Sequence, residues 1–235
     1  MDDMLKIGVV VADKDEFQPF EQAVAKYNAE DIEFFNKKAI EFMFDGAKVY
    51  AVHCGIGKVN AAAAAVRLVD MGCNCILNYG LSGGISRVKK GQLCIPHRFL
   101  EHDFDLTAIG YKPCEKPGQK YIYNADKELL DVVTDIFQNV SFGTAVCGDR
   151  FICNDADRKF LKETFDATSC DMETGAIASV CDMAGIAFLS LRRISDDAGD
   201  DAASSYKEMN TCNELLSDCL IKILSAVTEY YGGLL

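Results

Sequence analysis

The feature that most constrains the fold of this 235-residue chain is a recurring apolar run that ends at glycines or acids. Leu5-Lys6-Ile7-Gly8-Val9-Val10-Val11 is the first, followed by Ala12-Asp13-Lys14-Asp15-Glu16; Cys75-Ile76-Leu77-Asn78-Tyr79 is the second, followed by Gly80-Leu81-Ser82-Gly83-Gly84. A segment without polar alternation has no face to give to water, so each run predicts a strand covered on both sides. Open α/β sheets with such strands collect their chemistry at the strands' carboxyl ends.

The rest of the pattern agrees with an α/β chain. Phe17, Phe20 and Val24 follow the first run at helical spacing, Ala61–Ala65 reads as a tightly packing helix, and Gly175–Ala184 as a small-residue helix. Leu215, Leu216, Cys219, Leu220, Ile223, Leu224 and Val227 mark an amphipathic helix from Cys212 to Tyr231. Further strands are expected at Gln92–Pro96, closed by its proline, at Thr144–Cys147 and at Phe188–Leu191. Ile32–Phe35, Ile40–Phe44 and Lys48–His53 read as a meander with a tight turn at Asp45-Gly46. No repeat or linker interrupts residues 1–235, which read as one domain. A net charge of −12 and no basic stripe argue against nucleic acid, and no run approaches membrane-spanning length. With no signal-peptide pattern at the start and eleven scattered cysteines, the expectation is a cytoplasmic protein with free thiols. Cys73-Asn74-Cys75 has no second pair, so no metal site is expected.

Glycine-rich stretches at Gly55-Ile56-Gly57-Lys58 and Gly80–Gly84 let backbone approach a ligand, yet neither is a phosphate loop or a dinucleotide fingerprint. Carboxylates stand at element ends. Glu16 and Glu173 are each either an acid matched to a helix N-terminus or a catalytic group. His102, between two acids, is a base, a ligand or a charge-balanced loop residue. Phe151 is core, or it stacks on a planar base.

Gly55-Ile56-Gly57-Lys58-Val59, Gly80-x-Ser82-Gly83-Gly84, His102–Ala108, Gly148-Asp149-x-Phe151-Ile152, Asp171-Met172-Glu173 and Ile194-Ser195-Asp196 follow one order and spacing. In these the chain resembles the 5′-methylthioadenosine/S-adenosylhomocysteine nucleosidases of the nucleoside phosphorylase superfamily, from Lys6 to the last helix. The resemblance implies a three-layer α/β sandwich around a mixed, partly barrel-like sheet, a homodimer, a purine nucleoside substrate and no cofactor. By it, Asp196 protonates the purine at N7, Glu173 binds the ribose with Met172 packed on the sugar, and Glu16 activates water. Phe151 stacks on the purine while the Ile152 backbone reads its edge, and Ile56, Ser82, Gly83 and Ser195 line the substrate. These residue types suit N-glycosidic cleavage, which needs a protonated leaving group and an oxocarbenium-like sugar stabilised by negative charge.

Departures bear on the substrate. Leu81 replaces an expected Ser or Thr, with Ser82 a possible substitute. Asp13 replaces an apolar Met of the 5′-alkylthio pocket, where a carboxylate makes a poor wall for a thioether. Tyr206 replaces a Phe, and Arg150 is unusual. Two alternatives stay open: a phosphorylase or a nucleosidase of 5′-hydroxyl or other polar 5′ nucleosides, and a non-catalytic nucleoside binder. The glycine stretches contain no arginine, and Arg87, just downstream of the second, is the one that could serve a phosphate. Arg192, Arg193 and Asp197 are expected to compete over the acidity of Asp196.

Overall fold

The computed structural model describes residues 4–137, 139–209 and 214–233. In chain order the first half runs β1 (Lys6–Val11), α1 (Lys14–Val24), β2 (Glu30–Asp31), β3 (Ala39–Phe44), β4 (Ala47–His53), α2 (Lys58–Asp70), β5 (Cys75–Gly84) and β6 (Leu93–Glu101). The second half runs β7 (Ile122–Asn124), α3 (Lys127–Thr134), β8 (Ser141–Cys147), α4 (Asp155–Phe165), β9 (Ala167–Asp171), α5 (Thr174–Ala184), β10 (Ala187–Asp196), α6 (Ala202–Met209) and α7 (Glu214–Gly232).

Strand β1 shows why an apolar run without alternation was needed. Ile7, Val9 and Val11 enter one core with Phe17 and Phe20 of α1 and Leu216 and Leu220 of α7. Val10 faces the opposite core, with Ala61 and Ala65 of α2 and Ile177 of α5. Both faces of the strand are therefore dry, and its neighbours β4 and β5 run parallel to it. The small residues of α2 and α5 let these two helices pack on each other and on the sheet.

Among the described residues the ten strands form one sheet, and part of it closes on itself. β10 pairs with both β5 and β6, so the sequence β5-β10-β6-β8-β9 returns to β5 as a five-stranded barrel. β1, β4, β3 and β2 extend from β5 as an open wing. This is the mixed, partly barrel-like α/β architecture expected from the sequence.

Several local readings need correction. Gly80–Gly84 is the second half of β5, not a turn, and pairs with β10 and β9. Its glycines serve crossing side chains: a Cβ on Gly80 would sit 2.7 Å from Arg192 Nη1 and 2.9 Å from Glu16 Oε2. Ile32–Phe35 is not a strand; Phe34 bridges to Lys37 around Phe35, whose φ is 53°. Pro96 does not close its strand, because β6 passes it with a register shift between Pro96 and Arg98 and continues to Glu101. The polar residues before Cys170 form β9, where Thr168 and Ser169 are fully buried and break the expected apolar pattern. Of the tail helix, Cys212 lies outside the described residues. No described helix is long and apolar enough to cross a membrane.

Candidate active site

A cavity of about 360 Å³ opens where the strands' carboxyl ends converge. The end of β1 and first turn of α1 bring Asp13 and Glu16, and the loop before α2 brings Ile56. Strand β5 brings Ser82 and Gly83, and the loop after β8 brings Phe151 and Ile152. Met172 and Glu173 arrive between β9 and α5, Ser195 and Asp196 at the end of β10, and Tyr206 from α6. Every residue that the family resemblance places at the substrate therefore lines one cavity. Arg192, Asp171 and Cys170 also line it. The sequence set Arg192 only against Asp196 and did not mark its place in the cavity, buried against Asp171 and Glu173.

Glu16 is 4% exposed. Its Oε1 accepts the Leu81 N–H at 2.7 Å, and its backbone carbonyl accepts the Tyr79 hydroxyl at 2.8 Å. Burial pushes its carboxyl up to about 8, with the Leu81 N–H and Arg192 resisting and Glu173 and Asp13 adding to the rise. The protonated form of Glu16 is therefore favoured at neutral pH. The Leu81 departure leaves these contacts intact, because Leu81 serves the site through its backbone: its carbonyl also accepts Arg192 Nη1 at 3.3 Å.

Glu173 occupies the N-cap position of α5, but its side chain makes no capping hydrogen bond. Asp171 caps instead, its Oδ1 accepting the N–H groups of Glu173 and Thr174 at 2.8 Å and its Oδ2 the Thr174 hydroxyl at 2.7 Å. The Glu173 side chain is left to face the cavity, where Oε1 accepts the Gly57 N–H at 3.0 Å. Gly57 holds φ at 98°, a conformation that side chains rarely adopt, so glycine is required to aim that N–H. Burial raises the Glu173 carboxyl, with Arg192 opposing and Asp171 reinforcing. Arg192 Nη2 lies 3.3 Å from Asp171 and 3.8 Å from Glu173. Burial works against the charge of Arg192, but Asp171, Glu173 and Glu16 outweigh it and raise its pKa.

Asp196 is 2% exposed. Its Oδ2 accepts the Ser195 hydroxyl at 2.6 Å and its Oδ1 the Ala198 N–H at 2.8 Å. Burial raises its pKa, Ser195 and Ala198 resist, and Asp197 adds to the rise. Ser82, 3% exposed, has no hydrogen-bond partner for its hydroxyl among the described residues.

Other candidates fall elsewhere. His102 lies outside the cavity, packed so tightly on Gly148 that a Cβ there would be 2.5 Å from its Nε2. Arg87 pairs with Asp166 and does not line the cavity. Arg150 lines it but is held by Asp157 at 2.8 Å. Among the described residues, no group of three or more His, Cys, Asp or Glu side chains forms a metal-binding cluster.

The sequence model of the phosphorylase superfamily matches residues 6–229. A 5′-methylthioadenosine/S-adenosylhomocysteine nucleosidase of an Exiguobacterium species is 31% identical over 234 residues, covering 96% of this chain and 98% of the relative. An aminodeoxyfutalosine nucleosidase of Campylobacter jejuni is 28% identical, covering 87% of this chain and 91% of the relative. Among solved structures, an S-adenosylhomocysteine nucleosidase of Streptococcus pyogenes in complex with 5-methylthiotubericidin superposes with a TM-score of 0.86 at 25% identity, covering 95% of this chain and 97% of that one.

Proposed function

Because this chain belongs to the 5′-methylthioadenosine/S-adenosylhomocysteine nucleosidase family of the phosphorylase superfamily, and is by that membership an N-glycosyl hydrolase, we propose that it hydrolyses purine nucleosides without a metal. The thio-nucleosides named for its relatives are the first substrates to test. In this reading protonated Asp196 gives its proton to N7 of the purine as the C1′–N9 bond breaks, and the electron pair leaves on the base. Ionised Glu173 binds the ribose hydroxyls and, with the neighbouring negative charge, stabilises the cationic sugar. Ionised Glu16 takes a proton from water as its oxygen bonds to C1′. Free sugar and neutral base result, and solvent restores both carboxyls. Phe151 and Ile152 flank the base, and Met172 packs on the sugar.

The observation that carries hydrolysis over phosphorolysis is that both arginines lining the cavity are already paired with acids. Asp13, Glu16, Asp171, Glu173 and Asp196 line it, against Arg192, already flanked by Asp171 and Glu173, and Arg150, paired with Asp157. A phosphate dianion would meet acids rather than an unneutralised guanidinium. The test is base release with and without added phosphate, reading the sugar product. Free sugar at a rate indifferent to phosphate is expected; sugar 1-phosphate formed only with phosphate would replace this reading with a phosphorylase.

A homodimer is part of the same proposal. Val59, 80% exposed on the first turn of α2, is apolar surface that a second copy would cover. Light scattering of the purified chain checks it.

A further inference from the structure

Apart from Glu16 and its water, the cavity has three polar stations for the nucleoside itself, and the proposed reaction uses two of them. Asp196 with Phe151 and Ile152 takes the base; Glu173 with Met172 takes the ribose hydroxyls. The third station is Asp13 with Tyr206, and on a nucleoside seated at the first two, the substituent at C5′ is the part left to meet it.

Asp13 is half-buried and has two tasks. Its Oδ1 caps α1 by accepting the Asp15 N–H at 2.7 Å. Its Oδ2 points to the cavity side, where its partner is the Tyr206 hydroxyl at 3.3 Å, a long contact for an O–H donor. Tyr206 is itself fixed, its ring meeting Phe151 edge-on at 5.6 Å between centroids. Capping alone does not need the second oxygen, since a serine hydroxyl caps as well. A carboxylate oxygen with two lone-pair sites and one long contact to Tyr206 can accept a further hydrogen bond from a bound ligand, and a thioether has no hydrogen to give.

Resting on the nucleosidase reading, we infer that the preferred nucleoside carries a hydrogen-bond donor at C5′, a free hydroxyl in the simplest case, and that Asp13 and Tyr206 select it. When a thioether fills the cavity, the Asp13 oxygen loses access to water and gains nothing in return. A fully buried acceptor of this kind discriminates by ten-thousandfold or more; a half-exposed one leaves about tenfold to a hundredfold.

The experiment compares kcat/KM for adenosine, 5′-deoxyadenosine and 5′-methylthioadenosine on the wild-type chain, then on Asp13→Ser and Tyr206→Phe. 5′-Deoxyadenosine is smaller than adenosine and lacks its 5′ hydroxyl, donor and acceptor together, so it separates hydrogen bonding from size without any variant. Adenosine is expected to lead both others by at least about tenfold. Asp13→Ser, which keeps a cap, is expected to collapse that lead, and Tyr206→Phe to reduce it a few-fold. Cleavage of 5′-deoxyadenosine or 5′-methylthioadenosine as fast as adenosine overturns this inference and leaves the nucleosidase reading standing. A variant that slows all three substrates equally reduces Asp13 to a helix cap and also overturns it. No base release from any of the three, at high enzyme concentration, removes the nucleosidase reading and the inference with it.

Discussion

The two ends of the cavity hold their carboxylates by different means. At the purine end, Asp196 is secured by its own neighbours: the Ser195 hydroxyl and the Ala198 N–H lie within two residues of it. At the ribose end, Glu16 is held by the N–H of Leu81 and Glu173 by the N–H of Gly57, partners 65 and 116 positions away in sequence. Arg192 lies against Asp171 and Glu173 and also influences Glu16. One end is a local turn, and the other exists only once β5, β9, β10, α1 and the loop before α2 have assembled. A change at the first should stay there, whereas a change at the second should spread.

Asp196→Asn tests the local end and carries the largest expected effect. It removes the proton donor, so kcat should fall by at least about a hundredfold, up to ten-thousandfold. An amide keeps an acceptor for the Ala198 N–H, so melting temperature and nucleoside binding should hardly move. A large loss of stability in this variant would show that the purine end is not self-contained.

Glu16→Gln tests the distributed end, where two readouts should move together. Loss of the water base should lower kcat by about a hundredfold. In the wild type, the base form of Glu16 appears only as pH passes about 8, so kcat/KM should climb through that region, and the variant should lack the limb. Stability should move the other way. The folded carboxyl is raised to about 8 from an ordinary 4.5, so the protonated form is favoured by folding. The stabilisation this gives is complete below the unfolded value and is lost as pH rises through the folded one. A glutamine has no such penalty, so at pH 8 the variant should be more stable by on the order of 2–4 kcal/mol. Equal denaturation midpoints for the two proteins from pH 5 to pH 9 would contradict the burial of Glu16.

Arg192→Met comes next, with a loss of about tenfold in kcat/KM expected. It leaves Asp171, Glu173 and Glu16 without their cation, costing about 3 kcal/mol. Because Arg192 holds the Glu16 pKa down, the pH limb should also shift above its wild-type position. A limb that stays in place would separate Arg192 from Glu16 and weaken the picture of a coupled end.

The same contrast governs what the sequence made legible. The apolar runs announced β1 and β5 because burial on both faces leaves no alternation, and the acids at element ends pointed to where the cavity would open. Asp196 with Ser195 could be read as a unit because its contacts are adjacent in the chain. The role of Asp171 as the cap of α5, which frees Glu173 for the cavity, could not be read, since either acid fits a helix N-terminus. Nor could Arg192, whose significance comes from three carboxylates delivered by separate elements. β9 was hidden by its buried Thr168 and Ser169, and the glycines of β5 mimic a turn because the reason for them, the crossing of Arg192 and Glu16 over Gly80, is tertiary.

The smallest expected effect probes how far the distributed end extends. The Gly57 N–H that holds Glu173 belongs to a loop fixed from outside the cavity. The Lys58 N–H donates to Asp149 Oδ1 at 2.8 Å, and the Asp149 N–H donates to Asp103 Oδ2 at 2.9 Å. Lys58 Nζ closes the circuit on Asp103 at 2.6 Å and Glu101 at 3.1 Å, and Lys116 also pairs with Glu101. Lys58→Met cuts the ammonium out but leaves both backbone links, so the loop should loosen rather than detach. Glu173 would then be held less firmly for the ribose while Asp196 keeps its own partners. KM should rise about three- to tenfold with kcat nearly unchanged, the pattern of an interaction shared by ground and transition states. A fall in kcat with KM constant would mean instead that this circuit tunes the charge of Glu173 rather than its position, and would carry the coupled end of the cavity out to the protein's surface.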